Sequence, residues 1–394
     1  MSQASGSPTI PAFSDCLSGL EEAVAQLKNT WRPDDPAYRA DVYRQTMMSA
    51  SYSYFAYFHA TAEHPDWAPL WNPVYTLQPN PDDIYLYSPI RSDLSYRVSG
   101  SRGTVRNLIF VTQYGLSGMN DMYDCCDVNS IDADDFEVAR DGNFEILFSA
   151  VRPEGYRGNW APLGPRANVM FVRYRSWDWV NEVDPRISIE CLDPVPPKPR
   201  LTPDEIISRI KEMAAFPGRA ARDFYTMQNA IKAHVGVNQF DPVRLAGLTK
   251  QVYWPAVFEL DEDEALIIET ELPQRRPYWN IQLNDPYFNA VEYVYRLSSF
   301  NGHTAYISQD GKLRAVIALT DPAVPNWLDP AGYREGTIYG RWYDCDSNPT
   351  PVIKRVKLAE LRDHLPSDTP LVTSERRAEQ LRQRVRAAQR RRRW

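Results

Sequence analysis

The sequence has no uninterrupted apolar run of membrane-spanning length, and Met1 to Phe13 lacks the basic start and apolar core of a secretion signal. Cysteine is also scarce. The five cysteines are an odd number with one adjacent pair, Cys125 and Cys126, which fits neither a disulfide framework nor a zinc pattern. These absences predict a cytoplasmic protein in a reducing compartment, without a membrane span.

Motifs of several common catalytic families are missing as well. The chain has no Gly-x-x-x-x-Gly-Lys-Ser/Thr loop, no Gly-x-Gly-x-x-Gly after a strand, no His-Glu-x-x-His and no Gly-x-Ser-x-Gly elbow. ATP, dinucleotide and serine-hydrolase sites of those types are therefore excluded. Because the five histidines include no His-x-His pair, we expect neither a cofactor nor a metal ion, with a carboxylate-rich site for a hard cation as the open alternative.

Positive charge is concentrated at the C-terminus. The formal net charge is −7, yet residues 374–394 contain nine Arg against Glu375 and Glu379, a local charge of 9 − 2 = +7. Leu381 and Val385 are four residues apart among good helix formers, which predicts a helix in 371–394 that packs on the acidic body or on a second subunit. A homo-oligomer joined through this helix would follow from packing on a second subunit. The alternative is that the Arg-rich tail contacts a polyanion, either nucleic acid or an acidic membrane, although nucleic acid is not the expected partner.

Aromatic residues and prolines are abundant, and two stretches of the chain repeat each other. The 23 Tyr, 14 Phe, 11 Trp and 32 Pro favour strands separated by loops. Residues 141–174 and 310–342 share an Asp-Gly turn, an apolar run, an Asn-Trp pair and a final aromatic run, at nearly constant offsets (310 − 141 = 169; 326 − 159 = 167). A period this long predicts two related β modules in tandem.

The order of patterns predicts an α+β, β-rich fold with two tandem related β-sandwich or jelly-roll-like modules. Helical spacing marks residues 15–29 and 36–62, and Thr202-Pro203-Asp204-Glu205 predicts the start of a helical linker that is interrupted at Pro217-Gly218 and near Gly236. The predicted units are an N-terminal helical segment (1–70), the first β module (71–195), the helical linker (196–250), the second β module (251–370) and an Arg-rich C-terminal helix (371–394).

The first candidate site is the segment Asn80-Pro81-Asp82-Asp83-Ile84-Tyr85-Leu86-Tyr87. Asn-Pro-Asp forms a turn, after which Tyr85 and Tyr87 lie on one face of a strand. Asp82 or Asp83 could act as a general base, and Tyr85 could polarise a carbonyl or protonate a leaving oxygen. The alternative is an Asx turn that only starts the strand.

The second candidate site is the loop 321–332 together with Arg341. The Asn326-Trp327 pair has a counterpart in the first repeat, which indicates a structural role for its amide, whereas Asp321 and Asp329 have no acidic counterpart there. Two carboxylates beside an arginine and indole walls suit acid/base chemistry on a polar substrate. Salt bridges that anchor the loop explain the same residues equally well.

The third candidate site comes from alternation along residues 278–284. Trp279, Ile281 and Leu283 share one face of a predicted strand, while Asn280, Gln282 and Asn284 share the other. Amides that project into a concave sheet suit hydrogen bonding to a ligand or to a developing negative charge. Solvation of an edge strand is the alternative.

These segments resemble a known family. The Asn80 turn with Tyr85, the run from Tyr96 to Gly103, and above all the loop 321–332 followed by Gly340-Arg341-Trp342 are similar to bacterial proteins with a DUF1214 domain, often found with a DUF1254 domain. The similarity covers roughly residues 75–365. It implies a β-sandwich or jelly-roll-like architecture, with the DUF1254-like part in the first module and the DUF1214-like part in the second, and it implies no particular reaction.

The leading hypothesis is an enzyme, a hydrolase or lyase, that performs acid/base chemistry on a small organic molecule in a cleft between the modules. The predicted catalytic residues are Asp329, Asp321, Arg341, Tyr85 and Asp83. The predicted substrate-binding residues are Asn80, Asp82, Tyr87, Gln113, Trp279, Gln282, Asn284, Asn301, Asn326, Trp327 and Trp342. The alternative is a non-catalytic carbohydrate- or lipid-binding β-sandwich protein, in which the aromatic residues are stacking platforms.

Overall fold

The computed structural model describes residues 10–28, 32, 34–119, 126–244 and 250–391. Its α-helices are α1 (Phe13–Cys16), α2 (Ser18–Leu27), α3 (Pro36–Tyr54), α4 (Pro203–Val235) and α5 (Ser374–Arg391). They form an N-terminal segment, a central connection and a C-terminal element, as predicted. Within the described ranges, no helix is long and apolar enough to cross a membrane.

Strands make up most of the regular structure between the helices. Those of the first module are β1 (Ala68–Leu70), β2 (Asp83–Pro89), β3 (Tyr96–Ser101), β4 (Asn107–Tyr114), β5 (Cys126–Asp132), β6 (Asn143–Ser149), β7 (Trp160–Pro162), β8 (Val169–Arg175) and β9 (Arg186–Cys191). Those of the second are β10 (Gln251–Glu259), β11 (Glu264–Thr270), β12 (Tyr278–Asn284), β13 (Ser299–Asn301), β14 (Leu313–Ile317), β15 (Trp327–Leu328), β16 (Glu335–Tyr343) and β17 (Val352–Lys357). The predicted α+β, strand-rich fold is confirmed.

The two modules share one strand order. The sheets of the first are β1-β2-β8-β4-β5 and β7-β6-β3-β9, and those of the second are β10-β16-β12-β13 and β15-β14-β11-β17. Apart from β1, every strand of the first module therefore has an equivalent in the second, β2 with β10, β8 with β16, and so on. The parallel pairing of β6 with β7 recurs between β14 and β15. The predicted duplication is thus visible in the topology.

Each module is a sandwich with its own apolar core, and a third core joins the modules. Phe110 and Phe148 lie in the first sandwich, and Trp254 lies in the second. The inter-module core combines tyrosines of both facing sheets with Phe216 and Phe224 of α4. Because side chains alternate along a strand, the residues of β2, β8, β10, β12 and β16 that point away from their own sandwich enter this inter-module layer.

The central helix differs from its prediction. Thr202 and Glu205 form the predicted capping box, and Gly236 ends the helix. However, α4 continues through Pro217 and Gly218, so the predicted interruption there is wrong. Both residues are buried, and Gly218 faces Ala23 of α2. The packing of α2 on α4 therefore offsets the hydrogen bond that Pro217 cannot donate.

The N-terminal helices are also divided differently. The helix predicted over 15–29 is split at Leu17 into α1 and α2, and its last residue lies outside the described residues. The helix predicted over 36–62 is α-helical only to Tyr54 and continues as a π-helical turn, Phe55–His59. A turn of this kind widens the helix locally, which the spacing of apolar residues does not reveal.

Candidate functional site

The Asn80 turn and the amide face of β12 meet between the two modules. Asn80 Nδ2 donates to the Tyr278 hydroxyl (2.9 Å), and Asn280 Nδ2 donates to Asn80 Oδ1 (2.7 Å). Both amides are buried. Because a buried amide requires hydrogen-bond partners, this pairing fixes the turn of the first module against β12 of the second.

Asp82 is the carboxyl group at the centre of this junction. Its Oδ2 accepts from the Tyr278 hydroxyl (2.6 Å), and its Oδ1 accepts from Trp179 Nε1 (2.8 Å) and Asn301 Nδ2 (2.9 Å). Burial, with a smaller contribution from the neighbouring Asp83 charge, raises the pKa of Asp82 above its ordinary value, although the three hydrogen bonds act against this rise. Asp82 is thus held in one orientation and has an increased tendency to keep a proton.

Asp83 has the opposite electrostatic environment. Arg175 forms a bidentate ion pair with it, Nε to Oδ1 at 2.7 Å and Nη2 to Oδ2 at 2.8 Å, and the Tyr85 hydroxyl donates to Oδ2 at 3.1 Å. Burial would raise the pKa of Asp83, but the Arg175 guanidinium holds it below the ordinary value. Two adjacent carboxyls therefore have pKa values shifted in opposite directions, as in sites where one is an acid and the other stays ionised.

Arg341 lies in the same inter-module layer, among amides. Its Nη1 donates to Gln282 Oε1 (2.7 Å) and Asn280 Oδ1 (3.3 Å), and its Nη2 donates to Gln78 Oε1 (3.3 Å). Gln282 Nε2 in turn donates to Asn284 Oδ1 (2.8 Å). Since these acceptors are neutral, Arg341 orients the amide face.

A cavity of about 320 Å³ lies beside Asp82. Helix α5 covers one side of it. Its walls contain the three indoles of Trp177, Trp179 and Trp327, and its charged or titratable lining groups are Asp82, Asp178, His303, Arg377 and Arg384. A cavity of this volume with aromatic walls and a few polar groups suits a small organic molecule.

His303 and Asp178 are neighbours in the cavity wall. His303 Nε2 lies 3.6 Å from Asp178 Oδ2. Partial burial would raise the pKa of Asp178, but hydrogen bonds from Asn181 Nδ2 (2.6 Å) and Val180 N (3.0 Å) hold it below the ordinary value. An imidazole beside an ionised carboxylate is an arrangement that suits a general base.

Two predicted catalytic residues lie outside this site. Asp321 accepts two hydrogen bonds from Arg377 (2.8 and 3.0 Å), and Asp329 pairs with Arg296 (2.9 Å). Neither aspartate lines the cavity or bonds to Arg341. This corrects the expectation that both carboxylates share a site with Arg341, because their oxygens anchor α5 and the 321–332 loop.

Several predicted substrate-binding residues are also placed elsewhere. Trp279 and Trp342 are 1% exposed and pack with Trp254 in the core of the second sandwich, so they form no wall of the cavity. Gln113 donates to the Gly115 carbonyl (2.6 Å), and Tyr87 is buried in the inter-module core. All four positions serve the fold, since their side chains are enclosed by it.

The other predicted residues do converge. At the junction lie Asn80, Asp82, Asp83, Tyr85, Gln282, Asn284, Asn301 and Arg341; Asp82 and Asn301 also line the cavity, where Asn326 and Trp327 join them. Sequence reasoning missed Asp178, His303 and Arg384. Two signals were available: the run Trp177-Asp178-Trp179, and the seven-residue spacing of Arg377, Arg384 and Arg391.

Among the described residues, no group of His, Cys, Asp and Glu is arranged to hold a metal ion.

No family model and no curated protein matches the chain. Among solved structures, the chain is similar to an uncharacterized protein from Burkholderia cenocepacia, with a TM-score of 0.81 and 29% identity over 88% of this chain and 96% of that one. A Vibrio parahaemolyticus protein matches at a TM-score of 0.46 and 13% identity, over 87% of this chain and 100% of that one. The first similarity supports the fold.

Proposed function

We propose that the protein is an enzyme that performs acid/base chemistry, a hydrolysis or an elimination, on a small polar organic molecule in the cavity beside Asp82. One observation carries this proposal. The adjacent carboxyls of Asp82 and Asp83 have pKa values shifted in opposite directions, and the one with the raised pKa lines the cavity.

Asp82 is the proposed general acid. Asp82 donates its proton to the leaving-group oxygen of the substrate and itself becomes a carboxylate. The Tyr278 hydroxyl, Trp179 Nε1 and Asn301 Nδ2 already point at the two carboxyl oxygens, so they stabilise that carboxylate as it forms.

His303 is the proposed base. Because its Nε2 faces Asp178, its Nδ1 is the ring nitrogen that accepts a proton from the substrate or from an attacking water. The ionised Asp178 then stabilises the imidazolium. Asp82 and His303 together supply the acid and the base that hydrolysis or elimination requires.

A carbohydrate-binding protein is the second candidate, because three indoles surround the cavity. All three rings already carry a guanidinium group, however, since Arg106 lies 5.6 Å from the centre of the Trp177 ring. Arg384 lies 4.7 Å from the centre of the Trp179 ring, and Arg377 lies 5.3 Å from that of Trp327. Cation–π contacts compete with sugars for the same ring faces, so the enzyme is the favoured proposal.

The test is a search for turnover. Pools of small organic molecules are incubated with the protein in D2O, and consumption or deuterium incorporation is followed by proton NMR. We expect at least one compound to be consumed, and Asp82→Asn and His303→Gln to slow this by about 100-fold or more. Asp363→Asn, which changes an exposed carboxylate, is the matched control and should keep the full rate.

Melting curves of all variants separate loss of chemistry from loss of folding. Full activity in Asp82→Asn would remove Asp82 from the mechanism. If no compound is consumed while an oligosaccharide binds to the wild type, the carbohydrate-binding proposal replaces the enzyme.

We also propose membership of the DUF1214 family and a cytoplasmic location. The resemblance of the Asn80 turn and the 321–332 loop supports the first. The second is supported by four unbonded cysteines among the described residues, Cys16, Cys126, Cys191 and Cys345, since free thiols persist in a reducing compartment.

A further inference from the structure

Three arginines of α5 lie on one face of the helix because they are seven residues apart: Arg377, Arg384 and Arg391. The outer two are buried and ion-paired. Arg377 donates to both oxygens of Asp321, and Arg391 lies 3.3 Å from Asp184 and donates to the Asp82 carbonyl oxygen (3.0 Å). Helix α5 is therefore fastened to the second module at one end and to the first module at the other.

Arg384, the middle arginine, has no carboxylate within 4.0 Å among the described residues. Its Nε donates to the Tyr293 carbonyl oxygen and its Nη2 donates to the Ser299 hydroxyl (2.5 Å), while its Nη1 makes no hydrogen bond to a described residue. The guanidinium rests on Trp179 and lines the cavity. Arg384 thus presents an incompletely bonded cation to the cavity.

The carboxyl groups that act on Arg384 electrostatically do not neutralise this cation. Asp82 and Glu292 are the carboxyl groups that influence the pKa of Arg384. Asp82, the proposed acid, carries no charge while it holds its proton, and Glu292 accepts from the backbone amides of Val294 (2.7 Å) and Tyr295 (2.8 Å). Burial lowers the pKa of the Arg384 guanidinium to about 10, which reflects incomplete compensation of its charge. An anion that entered the cavity would supply the missing partner.

We propose that Arg384 binds a carboxylate of the substrate, and that the substrate is a small organic acid with an apolar body. The proposal rests on the function proposed above, since it concerns the same cavity. The Nη1 edge offers charge-assisted hydrogen bonds to a carboxylate, and Leu297 and Phe300, which line the same cavity, favour an apolar body beside it. Because Asp321 already satisfies Arg377, a single negative charge matches Arg384, the one arginine of the cavity wall that has no carboxylate partner among the described residues.

Benzoate and benzamide are suitable probes, because they have nearly the same shape and differ in charge. Isothermal titration of the full chain should show benzoate binding about tenfold or more tightly than benzamide. Arg384→Met keeps most of the side-chain stem and removes the charge, so it should lose about tenfold or more of the benzoate affinity and leave benzamide unchanged. The matched control is Arg382→Met, whose exposed arginine pairs with Glu379 on the other side of the helix.

Arg384→Lys guards against a variant that merely undocks α5. It keeps the charge and loses the planar fork, so its benzoate affinity should lie between those of the wild type and Arg384→Met. The proposal is overturned if the wild type does not bind benzoate, if it binds benzamide equally well, or if Arg384→Met binds benzoate as the wild type does.

Asp82→Asn separates this proposal from the proposed function. The variant should still bind benzoate, because Arg384 is intact, while turnover is lost. If benzoate binding depends on Arg384 but turnover does not depend on Asp82, the proposed acid/base function is contradicted and the proposed anion site is supported. If turnover depends on Asp82 but benzoate binding does not depend on Arg384, only the proposed anion site is contradicted.

Discussion

The two modules have the same strand order but differ where they face each other. Arg173 in β8 and Arg341 in β16 are equivalent residues, and each lies over an equivalent tyrosine, Tyr85 at 5.5 Å and Tyr253 at 5.4 Å from the ring centre. Both arginines are buried. The Tyr–Arg pair therefore belongs to the duplicated architecture, and the chemistry must come from the residues around it.

The neighbouring strand shows the first difference. Asn280 of β12 pairs with Arg341, whereas Ile109 of β4 pairs with Arg173. Arg341 consequently donates to side-chain amides, while Arg173 Nε is buried without a hydrogen-bond partner among the described residues. Within the described parts of the two modules, only the second has an amide network around its arginine, and that network holds the Asn80 turn.

The second difference is one of charge. Asp83 pairs with Arg175 between β2 and β8, and the equivalent pair between β10 and β16 is Gln251 with Tyr343. Arg175 contacts both equivalents, Gln251 Oε1 at 3.2 Å and the Tyr343 ring centre at 5.2 Å. A charged pair in one copy thus packs against a neutral pair in the other, and this loss of symmetry occurs next to Asp82.

Replacing one member of each pair should give the largest contrast between the modules. Asp83→Asn leaves the buried Arg175 without its counter-charge and should lower the free energy of unfolding by about 3–5 kcal/mol. Gln251→Leu removes one neutral acceptor and should cost about 1–2 kcal/mol. Urea unfolding monitored by tryptophan fluorescence measures both. Equal losses would mean that the charged pair contributes no more than its neutral equivalent.

The pH dependence of these losses sharpens the contrast. The pKa of Asp83 is lowered from 3.8 in the folded protein, so its stabilising contribution is present above that value and is lost as the pH falls through the lowered one. The pKa of Asp82 is raised, so its contribution is present at low pH and is lost as the pH rises. Between about pH 7 and about pH 3, the deficit of Asp83→Asn should shrink while that of Asp82→Asn grows. Deficits that move in the same direction would contradict the opposite shifts.

Where the two modules have equivalent residues in equivalent contacts, the same substitution should lower the free energy of unfolding by the same amount. Asn159 and Asn326 each hold a turn through three hydrogen bonds: Asn159 Nδ2 to the carbonyls of Glu137 and Glu145, Asn326 Nδ2 to those of Tyr306 and Arg314, and each Oδ1 from one backbone amide. Either asparagine replaced by Ala should lower stability by about 1–3 kcal/mol, as measured by thermal unfolding. Losses that differ by more than about 1 kcal/mol would break the equivalence of the turns.

The repeats in the sequence predicted the duplicated topology because turns and strand patterns are local, and the matching Asn-Trp pairs survive in both copies. Alternation in β12 likewise predicted its amide face, since a strand places successive residues on opposite sides. The prediction of Trp279 and Trp342 as substrate-binding residues rests on the chemistry of their indoles alone. Their burial depends on the packing of two sheets, which no short pattern contains.

Long-range docking explains the rest of what the sequence left open. The sequence predicts Asp321 as a catalytic residue because it does not show that α5 places Arg377 beside this carboxylate. His303 and Asp178 come from different modules, and Arg384 reaches the cavity from the end of the chain. Pairings of this kind depend on how helices and strands pack together in the folded chain. From the sequence of the Arg-rich tail, only its charge and its helical conformation could therefore be predicted.

Asp329 should show the smallest effect and tests whether the second module's extra carboxylates are architectural. Its Oδ2 pairs with Arg296, whose side chain is 45% exposed, and its Oδ1 accepts from Ala331 N (2.8 Å). Asp329→Asn keeps that backbone bond and weakens a largely solvated ion pair, so it should cost less than about 1 kcal/mol. It should also keep turnover in the NMR assay, because Asp329 does not line the cavity. Loss of turnover without loss of stability would show that the 321–332 loop takes part in catalysis. The carboxylates found in the second module and not in the first would then be catalytic and not architectural.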